Sequence, residues 1–206
     1  MTRTPARANY GRHVPSDDAT TALSIIDTDA RVGDVAVSSA ELHRRVEEIA
    51  AALTDELRGS EPLFVGVLTG AFVFLSDLVR AVDLPIEIDM IAVSSYGAST
   101  DSTGVVRLLK DLDSDIEGRH VVLVEDIIDS GLTIDYLRAT FAARRPASLR
   151  VITLLARERT DREGVDHVGF VLPEGWVVGY GLDAGGEYRH LDEIRWFDPS
   201  APAPTR

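Results

Sequence analysis

The chain of 206 residues contains no cysteine. Disulfides, thiolate metal sites and a cysteine nucleophile are therefore excluded. It holds one lysine, Lys110, so its basic charge is carried almost entirely by arginine. No apolar run approaches the length of a membrane span. The opening stretch MTRTPARANYGRHVPSDDATT lacks the apolar block of a secretory leader, so a cytoplasmic location is expected. Positive charge is scarce: 21 basic residues against 34 acidic ones give a net charge of −13. A nucleic-acid or anionic-membrane binder needs a basic face, so neither partner is expected. A small phosphorylated ligand remains possible, because backbone N–H groups at a helix start and a bridging divalent cation can hold one. GxGxxG and Walker-type lysine loops are both missing, which removes the usual dinucleotide and P-loop readings.

What is present is an alternation of apolar strands and amphipathic helices. Residues 1–32 are polar and read as a disordered N-terminal extension, and residues 198–206 read as a flexible tail. The domain is placed at 33–197. Ser38 and Ser39 can cap a helix carrying Leu42, Val46, Ile49, Leu53 and Leu57 at helical spacing, with Gly59 to close it. LFVGVL (63–68), HVVLVED (120–126) and SLRVITLLA (148–156) read as buried strands. IEIDMIAVSSY (86–96) and VVRLLK (105–110) read as strands joined by a mobile hairpin tip. AFVFLSDLVRAV and LTIDYLRATFAARR read as helices, and HVGFVLP and WVVGYGL as late extended pieces. Strand–helix–strand order with continuous Val/Leu/Ile strands predicts an α/β fold: a central, mostly parallel sheet flanked by helices. Ligands of such folds sit at the carboxyl ends of the strands.

One of those ends is VVLVEDIIDSGLTI (121–134). The strand is expected to leave the sheet at Glu125 and Asp126. Asp129-Ser130-Gly131-Leu132-Thr133 then turns into a helix. Gly131 lets the backbone approach a ligand, and the N–H groups of the turn can cradle a monophosphate. The Ser130 and Thr133 hydroxyls can add hydrogen bonds. Three carboxylates would repel a bare phosphate, so the ligand should also bring hydroxyls and a metal. A ribose diol on Glu125 and Asp126 fits, with Mg²⁺ screening a second phosphate group. The alternative on these residues alone is a strand ending in a solvated acidic loop.

This stretch resembles the phosphoribosyl-pyrophosphate (PRPP) motif of the type I phosphoribosyltransferases. Its Glu-Asp and Asp-Ser-Gly pattern resembles the hypoxanthine-guanine branch. The resemblance extends in order over residues 33–197. It implies the type I fold, with a mobile hairpin loop and a small C-terminal hood. It also implies PRPP, a purine base and Mg²⁺ as partners, and a homodimer or homotetramer. SSYG (94–97) is similar to the family's catalytic loop, which makes Ser95 and Tyr96 the pair that closes over the site; an ordinary strand end is the alternative. WVVGYGLD (176–183) is similar to the hood, with Trp176 stacking on the base, Val177 pairing with it through backbone groups, and Asp183 near a second Mg²⁺. A core aromatic is the alternative for Trp176. YRHL places Arg189 where the family reaches the pyrophosphate, and Asp129 matches the general base. The implied metal residues are Glu125, Asp126 and Asp183.

Four positions in three segments depart from the pattern. The pyrophosphate loop reads Leu68-Thr69-Gly70-Ala71, without the family's basic residue and serine. Its binding then falls to backbone groups at Thr69 and Gly70, following a peptide bond that the resemblance implies is cis. Arg157 in LLARER stands where the family has a lysine that donates to the purine 6-oxo group. Its fork could span that group and a ring acceptor, or swing away to an acid. Ala184 replaces a common aromatic. The expected activity is transfer of phosphoribosyl from PRPP to hypoxanthine or guanine. The departures also admit a paralogue acting on an unusual purine-like base, or a non-catalytic nucleotide-binding regulator.

Overall fold

Successive residues of LFVGVL point to opposite sides of a sheet: Phe64 enters one buried cluster, while Leu63, Val65 and Val67 enter another. The same alternation runs through Val121 to Val124. A strand with both faces buried must be covered by helices on both sides. The computed structural model, which describes residues 29–95 and 106–204, shows that arrangement.

The elements are β1 (Val32–Val37), α1 (Ser39–Glu56), β2 (Leu63–Leu68), α2 (Phe72–Ala81), β3 (Glu87–Ser95), β4 (Val106–Lys110), β5 (His120–Ile128), α3 (Leu132–Ala142), β6 (Ser148–Arg157), β7 (His167–Leu172), β8 (Trp176–Val178) and β9 (Ile194–Phe197). The six-stranded sheet has the order β4-β3-β2-β5-β6-β7. All its pairs are parallel except β3–β4. Helices α1 and α2 pack on one face and α3 on the other. Helix α1 starts with a capping box between Ser38 and Glu41, and it buries Leu42, Val46, Ile49 and Leu53 as its spacing predicts.

The chain runs outward from β2 to β3 and β4, then returns to β5 and continues to β6 and β7. The switch point lies between β2 and β5, where ligands of doubly wound sheets bind. Strand β5 reaches Ile128, two residues past the predicted end, and this changes where the acids sit. Pairing with β2 stops at Gly66–Val124, whereas pairing with β6 continues to Ile128–Ala156. Glu125 and Asp126 therefore belong to the strand, at the place where it parts from β2.

A second sheet, β1-β9-β8, forms the hood and is antiparallel. The sequence reading did not identify β1 or β9. Residues 29–32, assigned there to the N-terminal extension, pack into this region. Asp29 is buried, accepts three hydrogen bonds from Arg31 and takes another from the Tyr188 hydroxyl. The predicted hairpin tip and Tyr96 lie outside the described residues.

Candidate active site

Three strand ends and the hood build the site. At the end of β2 the Leu68–Thr69 peptide is cis, as the family resemblance implied. Gly70 follows against Asp126: a Cβ on Gly70 would lie 1.5 Å from Asp126 Oδ2. Only glycine lets the loop backbone come this close to the carboxylate. Helix α2 then begins at Phe72 with Ala71 as a cap that offers no side-chain hydrogen bond.

At the end of β5 the three acids occupy different environments. Glu125 is 7% exposed, and its Oε2 is buried without a hydrogen-bond partner. Burial, aided by the charge of Asp126, holds its carboxyl well above the usual carboxylate range. Asp126 is pushed up to about 6, chiefly by burial, against the Ile127 and Asp126 N–H groups and Arg189, which favour the ionised form. Asp183 repels it and adds to the rise. Asp129, by contrast, is an exposed residue. The turn that follows is as its residues suggest. Gly131 has φ +79° and opens α3, whose first ladder bond runs from the Asp135 N–H to the Gly131 carbonyl at 3.0 Å. The N–H groups ahead of Asp135 have no intrahelical acceptor and suit an anion.

At the end of β6, buried Arg157 donates to the Pro173 carbonyl at 2.8 Å and also to the Gly175 carbonyl. It therefore reaches the hood, through main-chain acceptors instead of through an acid. Trp176 follows and is 64% exposed, so it is a rim residue and not a core aromatic. Val177 behind it is buried. Asp183 is held by Arg189 at 2.6 Å and by the Gly186 N–H at 2.6 Å. Arg189 also donates to the Gly181 carbonyl at 2.6 Å. The Tyr180 hydroxyl donates to Asp77 of α2 at 2.5 Å and ties the hood to the sheet's helical cover.

Asp126, Asp129, Arg157, Trp176, Val177 and Asp183, among others, line one cavity of about 450 Å³, while Glu125 lies outside its lining. Ser130 and Gly131 instead line an adjoining recess of about 220 Å³. Gly70 meets the cavity through Asp126, with Thr69 just ahead of it in the chain, and Arg189 meets it through Asp183. Thr133 and Leu132 lie in the first turn of α3, and Ser95 ends β3. Sequence reasoning missed Arg159 and Glu174, which also line the cavity and pair with each other at 2.9 Å. Charged loop residues have no periodicity to betray them, so only their spatial convergence reveals the pair.

An open, mostly parallel sheet with a glycine turn and helix start at its split, roofed by a small antiparallel hood, is the type I phosphoribosyltransferase fold. The chain belongs to that family: the phosphoribosyl transferase domain model matches residues 38–184. It is similar to the hypoxanthine-guanine phosphoribosyltransferase of Bacillus subtilis, at 44% identity over 81% of this chain and 93% of that protein. The enzyme of the same name from Mycobacterium avium is 44% identical over 82% of this chain and 87% of its own length. Among solved structures, the hypoxanthine phosphoribosyltransferase of Trypanosoma cruzi in complex with its product IMP is 36% identical. It covers 82% of this chain and 96% of that one, with a TM-score of 0.73.

Proposed function

We propose that the protein transfers the 5-phosphoribosyl group of PRPP to a 6-oxopurine, hypoxanthine or guanine, with release of pyrophosphate. This is a purine-salvage reaction. The observation that carries the reading is the contact of Gly70 with Asp126, which joins the pyrophosphate loop to the ribose-binding acids at the sheet's split. Relatives named as hypoxanthine-guanine phosphoribosyltransferases support it.

In this reading Glu125 and Asp126 take the ribose hydroxyls. Ser130, Gly131, Leu132 and Thr133 hold the 5′-phosphate, and Thr69, Gly70 and Arg189 hold the pyrophosphate. Trp176 stacks on the base, Val177 offers it backbone groups, and Arg157 donates to its 6-oxo edge while it braces the hood. The exposed carboxylate of Asp129 takes the proton from the purine's imidazole ring. Ser95 and Tyr96 shield the reacting atoms from water.

Mg²⁺ fits this donor set. Glu125 has an unpartnered buried oxygen, and Asp126 and Asp183 repel each other, so a cation would relieve both. Among the described residues no three acidic or histidine side chains converge into a metal cage. The fitting ion is therefore one held largely by substrate phosphates, with Asp126 and Asp183 contributing and Glu125 behind them. When bound, it neutralises charge on the departing pyrophosphate. The reading carries with it a cytoplasmic homodimer or homotetramer that binds neither nucleic acid nor membrane, in keeping with the net charge of −13. No helix among the described residues is long and apolar enough to cross a membrane.

The test is a panel of purine bases incubated with PRPP and Mg²⁺, with pyrophosphate and nucleotide measured together. Hypoxanthine or guanine should give stoichiometric nucleotide and pyrophosphate. Tight PRPP binding without turnover on any base would favour the non-catalytic alternative.

A further inference from the structure

Arg157 to Thr160 form a tight turn at the end of β6, closed by the Thr160 N–H donating to the Arg157 carbonyl at 3.1 Å. The turn makes contacts in two directions. Towards the hood, Arg157 holds the Pro173 and Gly175 carbonyls, and the Glu158 N–H donates to the Leu172 carbonyl at 3.1 Å. Arg159 pairs with Glu174 on the same side. Towards the phosphate turn, the Thr160 hydroxyl donates to the Asp129 carbonyl at 2.5 Å and lies 3.4 Å from the Ile128 carbonyl. Arg159 stands 3.7 Å from the Asp129 carboxylate.

The two contacts to Asp129 differ in weight. The side chains of Arg159 and Asp129 are 70% and 63% exposed, and such a pair contributes little in water. Thr160 is 8% exposed, and its hydroxyl bond forms where water competes poorly. The Asp129 carbonyl shares a rigid peptide plane with the Ser130 N–H. A hydroxyl that fixes the carbonyl therefore also fixes the direction in which the N–H points, and constrains the backbone that carries the Asp129 carboxylate. Asp129 lies between the last paired residue of β5, Ile128, and the left-handed Gly131, so the strand ladder itself does not hold it.

We propose that Thr160 is a positioning residue for Asp129, acting through the Asp129 main-chain carbonyl. It sets the base carboxylate in register with the hood, to which the same turn is bound. The proposal rests on the reading of Asp129 as the general base.

Thr160→Val keeps the shape and removes the donor. With PRPP and hypoxanthine, kcat should fall by about tenfold to a hundredfold, the cost of misplacing a catalytic group by a fraction of an ångström to an ångström. KM for the base should stay within about twofold, because uniform binding is untouched. Thr160→Ser should restore most of the turnover. In an Asp129→Ala background Thr160→Val should cost nothing further, since both changes remove the same contribution. Thr160→Ala serves as a second donor-less variant if the valine variant does not fold. Undiminished kcat in the donor-less variants, failure of serine to rescue, or an equal fractional loss in the Asp129→Ala background overturns the proposal. Asp129→Ala with undiminished turnover would sink the base assignment itself. A crippled Asp129→Ala beside an unimpaired Thr160→Val would sink the positioning role alone.

Discussion

Gly181 of the hood stands so close to Gly70 of the β2–α2 connection that a Cβ on Gly181 would lie 2.2 Å from the Gly70 carbonyl oxygen. Gly70 in turn abuts the Asp126 carboxylate, and the Gly181 carbonyl accepts from Arg189. The hood, the β2–α2 connection and the Asp126 carboxylate thus form one chain of close contacts, in which Gly181 and Gly70 present bare backbone at each junction.

Adding a methyl group should break that chain. Gly70→Ala is expected to lower kcat/KM for PRPP by about a hundredfold, since loop and acid must separate by more than an ångström. Gly181→Ala carries the added strain of φ +99° and should also lower the melting temperature. Steady-state kinetics and thermal melts check both. Normal kinetics for Gly70→Ala would mean that the loop and Asp126 need not touch during turnover.

Asp129→Ala should lower turnover by about a hundredfold to ten-thousandfold, the usual worth of a positioned acid–base group. The KM for PRPP should change far less. The two constants, measured separately, decide whether Asp129 acts on the proton or only on donor binding.

The raised pKa of Asp126 predicts how stability depends on pH. Its folded value of about 6 lies above the unfolded value of about 3.9, so the folded state binds the proton more tightly. The contribution to stability is fully present below about 4 and is lost as pH rises through 6. Asp126→Asn removes this loss. The unliganded variant should melt roughly 6–10 °C above the parent at pH 8, and close to the parent at pH 4. Equal melting curves at both pH values would show that Asp126 is not held protonated by burial.

Arg157→Lys replaces a fork that bonds two carbonyls with a single ammonium. The Pro173–Gly175 segment should loosen, and base KM should rise by about tenfold, the cost of one lost charged hydrogen bond. Relative rates should move towards hypoxanthine and guanine over other bases. Unchanged relative rates across a base panel would remove Arg157 from base selection and leave it only the brace.

The parts legible in the sequence were those with local signals. The capping box and spacing of α1 follow from interactions within one helix. The continuous Val/Leu runs of β5 and β6 announced a sheet covered on both faces. Gly131 at the head of α3 is required by its own backbone angle. Strands β1 and β9 went unseen because each is short, and each is stabilised by the other across most of the chain. The extension of β5 to Ile128 was hidden because β6 alone supplies its last pairs.

By itself the sequence determined the chemistry available: acids, a glycine turn and an arginine in an order shared with one family, on strands whose burial was written in their composition. Tertiary structure decided how those groups differ. It buried Glu125, raised Asp126 and left Asp129 exposed, although the three lie within five consecutive residues. It also turned Arg157 onto hood carbonyls that lie 16 and 18 residues further along the chain. Desolvation and hydrogen-bond partners belong to the surroundings of a group, and the folded chain supplies those surroundings from distant segments.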